Sequence, residues 1–187
     1  MKERQKETMP GWEVFSRKVV LDTPVVTIQA GPVRCVRSGK QKDFYFFDFP
    51  EWVNIVALTP EREIILIRQF RYGSNRIEIE IPGGMVNDHE DPVAAGCREL
   101  LEETGYAGKN ARHIGRVCPN PALQRNYCHT IFVEEAVKVQ EPCFDDMEDI
   151  SWYSLPEKDV MQLIANGEIN HGLVLNALMF YQGFRHH

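Results

Sequence analysis

Between Trp12 and Phe49 the chain alternates apolar and polar residues in short runs that suit strands. The predicted strands are Trp12–Leu21, Val25–Val36 (interrupted by Gly31-Pro32) and Phe44–Phe49, parted by Asp22-Thr23-Pro24 and Ser38-Gly39-Lys40. In the last of these, Tyr45, Phe47 and Phe49 share one face while Phe44 and Phe46 share the other. Apolar residues on both faces of so short a strand predict burial on both sides. Further strands are predicted at Trp52–Leu58, Glu63–Arg68 and Arg76–Ile81, then near His113–Cys118, at Tyr127–Val133 and at Ile150–Tyr153, after an acidic loop at Glu141–Asp149. A helix should begin at Asp91-Pro92, an N-cap acceptor followed by a residue whose missing N–H costs nothing at the first position, and stop at Gly105. Two more helices are predicted: Pro156–Ala165, and His171–Phe184 with Leu173, Val174, Ala177, Leu178 and Tyr181 at helical spacing. Strands and helices in an order without strict alternation point to an α/β (α+β) fold, a mixed sheet packed between helices.

Composition narrows this picture only a little. The 187 residues suit one domain with an N-terminal extension, and 43% hydrophobic with 26% charged residues is ordinary for a globular chain. The reading is a mobile segment 1–10, a β subdomain over 11–50 and a main domain over 51–187. A net charge of −6 argues against a general nucleic-acid or membrane-surface binder. No apolar run approaches membrane-spanning length, and the start MKERQKETMPGW has no signal-like apolar stretch, so a cytoplasmic protein is expected. Five cysteines, odd in number and without a C-x-x-C pair, suit reduced thiols.

The candidate chemistry lies in the first helix. Glu99, Glu102 and Glu103 stand at i, i+3 and i+4, so three carboxylates leave one helix face. Like charges at that spacing repel, and Arg98, facing Glu102 at i, i+4, cannot neutralise all three. A cation is expected in front of them; hard oxygen ligands without nearby His or Cys suit Mg²⁺ or Mn²⁺. The preceding Ile81-Pro82-Gly83-Gly84 can expose backbone carbonyls and amides beside that face. The competing reading is a merely solvated acidic face.

Gly84, Glu90, Arg98, Glu99, Leu100, Glu102, Glu103, Gly105 and Tyr106 occupy every position of the pattern G-x5-E-x7-R-E-U-x-E-E-x-G-U, U being bulky and apolar. On this segment the chain resembles the Nudix hydrolases, and a chance match has odds of roughly 10⁻⁷. The resemblance implies the Nudix α/β/α sandwich and hydrolysis of a nucleoside diphosphate linked to another group. It also implies metal contacts from Glu99, Glu102, Glu103 and the Gly83 carbonyl. Glu90 and Arg98 take structural roles, Arg98 orienting the carboxylates and so counting, with Glu102, in the catalytic set.

Outside this segment the chain is similar to the branch that acts on ADP-ribose and nucleoside diphosphate sugars. The landmarks are Arg68-Gln69-Phe70-Arg71, Glu80-Ile81-Pro82-Gly83-Gly84 (E-x-P-[AG]-G in the branch), Pro121 fifteen residues after Tyr106, and Glu148-Asp149-Ile150 with Gly167-Glu168-Ile169. Arg71 is a planar fork for a diphosphate or terminal ribose, the alternative being a surface ion pair. Glu80 would accept from ribose hydroxyls or support the metal shell, and Gly84 would contact substrate. By the same resemblance Trp12 would sandwich the base, the alternative being core packing. Glu148 best fits the branch's general base, with Asp146 second. His171 could bond to a loop carboxylate or simply cap the last helix. Asn120–Asn126 departs from the branch, which leaves the second group of the substrate open. A nucleotide-pool hydrolase for damaged triphosphates, and a sensor that binds ADP-ribose without cleaving it, are the competing functions. The resemblance, and the apolar strands before residue 50, imply a homodimer formed through that extension.

Overall fold

In the computed structural model the described residues are 11–144 and 147–186. The chain folds as two compact units. One holds residues up to Pro50 together with Asn120–Asn126, the other Glu51–Pro119 and Tyr127 onward.

The N-terminal unit is a four-stranded antiparallel sheet. Its elements are β1 (Trp12–Val14), β2 (Lys18–Asp22), β3 (Thr27–Cys35) and β4 (Gln41–Asp48), with β3 pairing each of the others. The predicted strand Trp12–Leu21 is two strands, and the Gly31-Pro32 step does not interrupt β3. Gly31 and Pro32 keep their register against Phe44 and Asp43, so proline here sits in a strand whose other pairings survive. The expected burial of Phe44–Phe49 on both faces is not found: Tyr45 is 56% exposed and the four phenylalanines are only half-buried. Among the described residues no helix belongs to this unit, and cations cover part of the rings instead, with Arg17 3.7 Å from the Phe46 centroid and Lys42 4.7 Å from that of Phe44. The segment Asn120–Asn126 joins the sheet through the Phe47 N–H on the Leu123 carbonyl (2.9 Å) and the Asn126 amide on the Pro50 carbonyl (3.1 Å).

In the second unit β8 (Gly83–Met85), β5 (Trp52–Ala57), β10 (Cys128–Lys138) and β9 (Tyr106–Val117) form a mixed sheet in that order, with β5 and β10 parallel. A three-stranded antiparallel sheet holds β11 (Ile150–Pro156), β6 (Glu63–Arg71) and β7 (Arg76–Glu80). The helices are α1 (Pro92–Thr104), α2 (Glu157–Ala165) and α3 (Gly172–Phe184). Alternation along β5 sorts its side chains between two cores. Val53, Ile55 and Ala57 pack with Ala95 and Leu100 of α1, while Val56 packs with Val174, Ala177 and Tyr181 of α3. The mixed sheet is thereby covered on both faces by helices, as the sandwich requires. Among the described residues no helix is long and apolar enough to cross a membrane, and all five cysteines are free.

The limits of α1 follow the sequence. The Asp91 side chain accepts from the Val93 and Ala94 amides, Pro92 opens the helix, and Gly105 closes it in the left-handed region at φ 73°. A Cβ on Gly105 would also collide with the Gln140 carbonyl. Gly105→Ala is expected to destabilise the protein by roughly 1–3 kcal/mol. Urea unfolding measures this, and an unchanged midpoint would mean that the helix end relaxes freely.

Candidate active site

The site is assembled around β8, a strand the sequence pattern does not reveal because it is only Gly83-Gly84-Met85. It pairs antiparallel with β5, Gly83 opposite Asn54 and Gly84 opposite Val53. A side chain at Gly83 would collide with the Val53 carbonyl and sit 2.6 Å from Asn54 Oδ1; one at Gly84 would collide with the Glu99 carboxyl. Gly83 is thus bare to let β8 lie close to β5, and Gly84 to let the Glu99 carboxyl of α1 lie against the strand. Glu103, 4% exposed, accepts the Gly83 N–H at 2.9 Å.

Arg98 ties the loop between β8 and α1 to the helix. It donates to both Glu90 oxygens (2.9 Å each), to Glu99 (2.8 Å), to Glu102 (3.0 Å) and to the Met85 carbonyl (3.0 Å). The paired guanidinium, with the Asn87 amide, holds the Glu90 carboxyl down at about 2. Glu99 and Glu103 move the other way. Burial raises both, and each is raised further by the other acidic groups, Glu102 and Glu148 on Glu99, Glu99 and Glu148 on Glu103. Arg98 pulls Glu99 back down, as the Gly83 N–H does Glu103, without cancelling the rise. Glu148 is exposed and near enough to act electrostatically on Glu99, Glu103 and Arg71. Asp146 lies outside the described residues.

This surplus of hard carboxylate oxygen, part of it buried, is chemistry that suits a divalent cation. The side chains are not gathered into a ready cage. Among the described residues no three His, Cys, Asp or Glu groups form one, and Arg98 bridges Glu99 and Glu102 instead. The donor set fits the group; its present partners are a guanidinium and an amide.

A cavity of about 690 Å³ adjoins β8. Gly83 and Gly84 line it, as do Trp52 and Asn54 of β5, the β6–β7 hairpin, and the start of α3. The hairpin contributes Arg71, which grips Glu80 through two bonds of 2.8 and 2.7 Å. The pair is half-buried, Glu80 being 2% exposed while the Arg71 side chain is 45% exposed. Burial alone would raise the Glu80 carboxyl, but the Arg71 pair, with His171 alongside, outweighs it and holds it at about 2. His171 stands at the N-cap of α3 yet makes no capping bond; its Nδ1 lies 3.4 Å from Glu80, an electrostatic contact rather than a hydrogen bond. Its carboxylate partner is on a strand and not, as the sequence suggests, on a loop. Trp12 lies on β1 of the N-terminal unit and is 48% exposed, so core packing does not account for it. Sequence reasoning misses Trp52, Tyr72, Arg76, Asn54 and Asn170 as cavity residues, because none falls in a motif and only tertiary structure brings them together.

Residues 49–174 match the NUDIX domain. This chain belongs to the Nudix family. A 27% identical relative, over 97% of this chain and 95% of its own length, is an ADP-ribose pyrophosphatase of Bacillus subtilis (strain 168). An ADP-sugar pyrophosphatase of Mus musculus is 36% identical over 92% of this chain and 80% of its own length. The fold is also that of a crystal structure of an ADP compounds hydrolase, with a TM-score of 0.83 at 18% identity, over 95% of this chain and 96% of that one. The chain is accordingly a Nudix pyrophosphohydrolase, of a family that in general requires divalent metal ions.

The Arg71–Glu80 pair gives this Nudix site a pH signature. Because the Glu80 carboxyl falls from 4.5 to about 2 on folding, its contribution to stability is complete above about pH 4.5 and is lost as pH falls through 2. The advantage of the wild-type protein over Glu80→Gln should shrink across that window. Urea unfolding at pH 2, 3, 4 and 6 tests this, and a constant difference would show that Glu80 is not ionised by the pair.

Proposed function

We propose that this protein hydrolyses the diphosphate of ADP-ribose and related nucleoside diphosphate sugars, giving a nucleoside monophosphate and a sugar phosphate, with Mg²⁺ or Mn²⁺ bound. The observation that carries the reading is the acidic face of Glu99, Glu102 and Glu103, with Glu148 in electrostatic reach, behind a glycine strand that lines a cavity with the Arg71–Glu80 pair. The names of the two relatives support the substrate class.

Glu99, Glu102, Glu103 and the Gly83 carbonyl would hold the ion. When bound, it would neutralise charge on the diphosphate and lower the pKa of a coordinated water. Arg98 keeps Glu99 and Glu102 turned toward one point. Glu148 is the proposed general base, and its electrostatic reach to Glu99 and Glu103 supports that place. Gly84, having no side chain, admits a phosphate close to the strand. Glu80, held ionised by Arg71, accepts from ribose hydroxyls, while the outer edge of the guanidinium remains for the diphosphate.

A homodimer belongs to the same proposal, with Trp12 covering the base. What supports it is the N-terminal unit itself: Trp12, Val19, Val20, Leu21, Val25 and Tyr45 are each at least 48% exposed, apolar side chains that a partner's surface would cover. A monomer of 21.6 kDa in sedimentation at micromolar concentration would exclude it.

ADP-ribose should yield AMP and ribose 5-phosphate, with no turnover in EDTA. Glu103→Gln should lose most of the activity, and Glu148→Gln should lose roughly 10²–10⁴ in kcat with little change in KM. A panel of ADP-ribose, GDP-mannose, ADP-glucose and 8-oxo-dGTP with products identified measures this. A hundredfold preference for the triphosphate in kcat/KM would overturn the reading, as would binding of ADP-ribose without cleavage.

A further inference from the structure

Asn54 stands in the middle of the mixed sheet, paired with Gly83 on one side and with Thr130 on the other. It is 8% exposed and belongs to the cavity wall. Its Oδ1 lies against the bare face of Gly83, where a Cβ would stand 2.6 Å away. The nearest obstacle to a Cβ at Gly83 is the Val53 carbonyl, with the Asn54 carboxamide next, so the glycine lets the two strands and this side chain pack together.

Its Nδ2 is buried and has no hydrogen-bond partner. Among the described residues three buried side-chain polar atoms are in that condition, and two of them, Asn54 Nδ2 and His171 Nδ1, belong to residues lining the cavity. A buried donor left unmade costs stability, so such a group calls for an explanation. The rest of the wall indicates what would satisfy it. Gly172 and Leu173 bring the first turn of α3 to the cavity, a turn with no side-chain cap and no acidic residue. Cys128, opposite Trp52, is a neutral thiol, burial pushing it up to about 12. Arg71 and Arg76 already hold Glu80 and Glu78. With His171 Nδ1 against Glu80, the uncommitted donors at this wall are the Asn54 amide and the uncapped start of α3, which suit an acceptor-rich anionic group.

We propose that Asn54 is a substrate-binding residue: its carboxamide N–H, sealed in the free protein, turns toward the cavity and donates to a non-bridging phosphate oxygen of the bound diphosphate. The inference rests on the diphosphate reading above and adds a residue that lies outside the motif. It also implies a trade: the free protein carries an unmade hydrogen bond that substrate completes.

The test compares wild type, Asn54→Leu and Asn54→Asp, using the non-hydrolysable α,β-methylene analogue of ADP-ribose in the presence of magnesium. Asn54→Leu, free of ligand, should melt at or above the wild-type temperature, while its affinity for the analogue falls roughly 10- to 100-fold. Asn54→Asp, of the same shape but without the donor and with a charge, should bind more weakly still, and it serves if leucine unfolds the sheet. The loss should appear with ADP and not with adenosine. In ¹⁵N–¹H spectra, the side-chain amide pair missing from Asn54→Asp should shift when the wild type binds the analogue. Analogue affinity equal to wild type in both variants would overturn the inference alone, as would an equal loss for adenosine. Failure of wild type to bind the analogue would remove the diphosphate reading beneath it.

Discussion

Five hydrogen bonds from one guanidinium hold the site together. Arg98 sits between Glu90 on the loop, Glu99 and Glu102 on α1, and the carbonyl of Met85 at the end of β8. The helix carries acidic side chains that repel one another, and the strand it faces has glycine where Glu99 lies against it. Without a fixed cation at their base, the carboxylates would spread into solvent, since burying such groups unpaired is costly. Arg98 makes the acidic face compatible with folding, while leaving it negative enough to attract a further cation. The glycines, the helix cap at Asp91 and the loop through Glu90 all serve this arrangement.

The surroundings of β8, whose glycines line the cavity, are built on opposite electrostatic terms. On α1 negative charge is in surplus and two carboxyls are raised. On the β6–β7 side each arginine is matched to a glutamate, and Glu80 is depressed to about 2. A ligand with a polyanionic centre and hydroxyl-rich ends fits such a division. The centre needs cations beyond those already paired, and the ends need acceptors held ionised at neutral pH.

Local chemistry is the legible part of the sequence. The limits of α1 can be read from Asp91, Pro92 and Gly105 because capping depends on neighbours in the chain, and the carboxylate face from a spacing of three and four. The branch landmarks lead to Arg71 and Glu80, though not to the bidentate geometry that buries Glu80. Other features are illegible for physical reasons. A three-residue strand of two glycines and a methionine has no alternation to detect. Asn54 looks like any polar residue in a strand until the glycine opposite it is known. The aromatic run at Phe44–Phe49 reads as doubly buried because hydrophobic pattern reports affinity for cover and not whether the same chain supplies it.

The segment Asn120–Asn126 has a consequence for the order in which the protein can be made. The sheet begun by the first fifty residues takes one main-chain bond and one side-chain bond from a loop that leaves the ribosome only after α1 and β9 have been synthesised. An N-terminal unit that folds first is the common course of co-translational folding, and here it can form only without its closing segment. The four strands pair among themselves within the first fifty residues, but Phe47 and Pro50 wait for a remote piece of sequence to complete their bonds. Nascent chains stalled before residue 120 therefore carry this sheet without those two bonds.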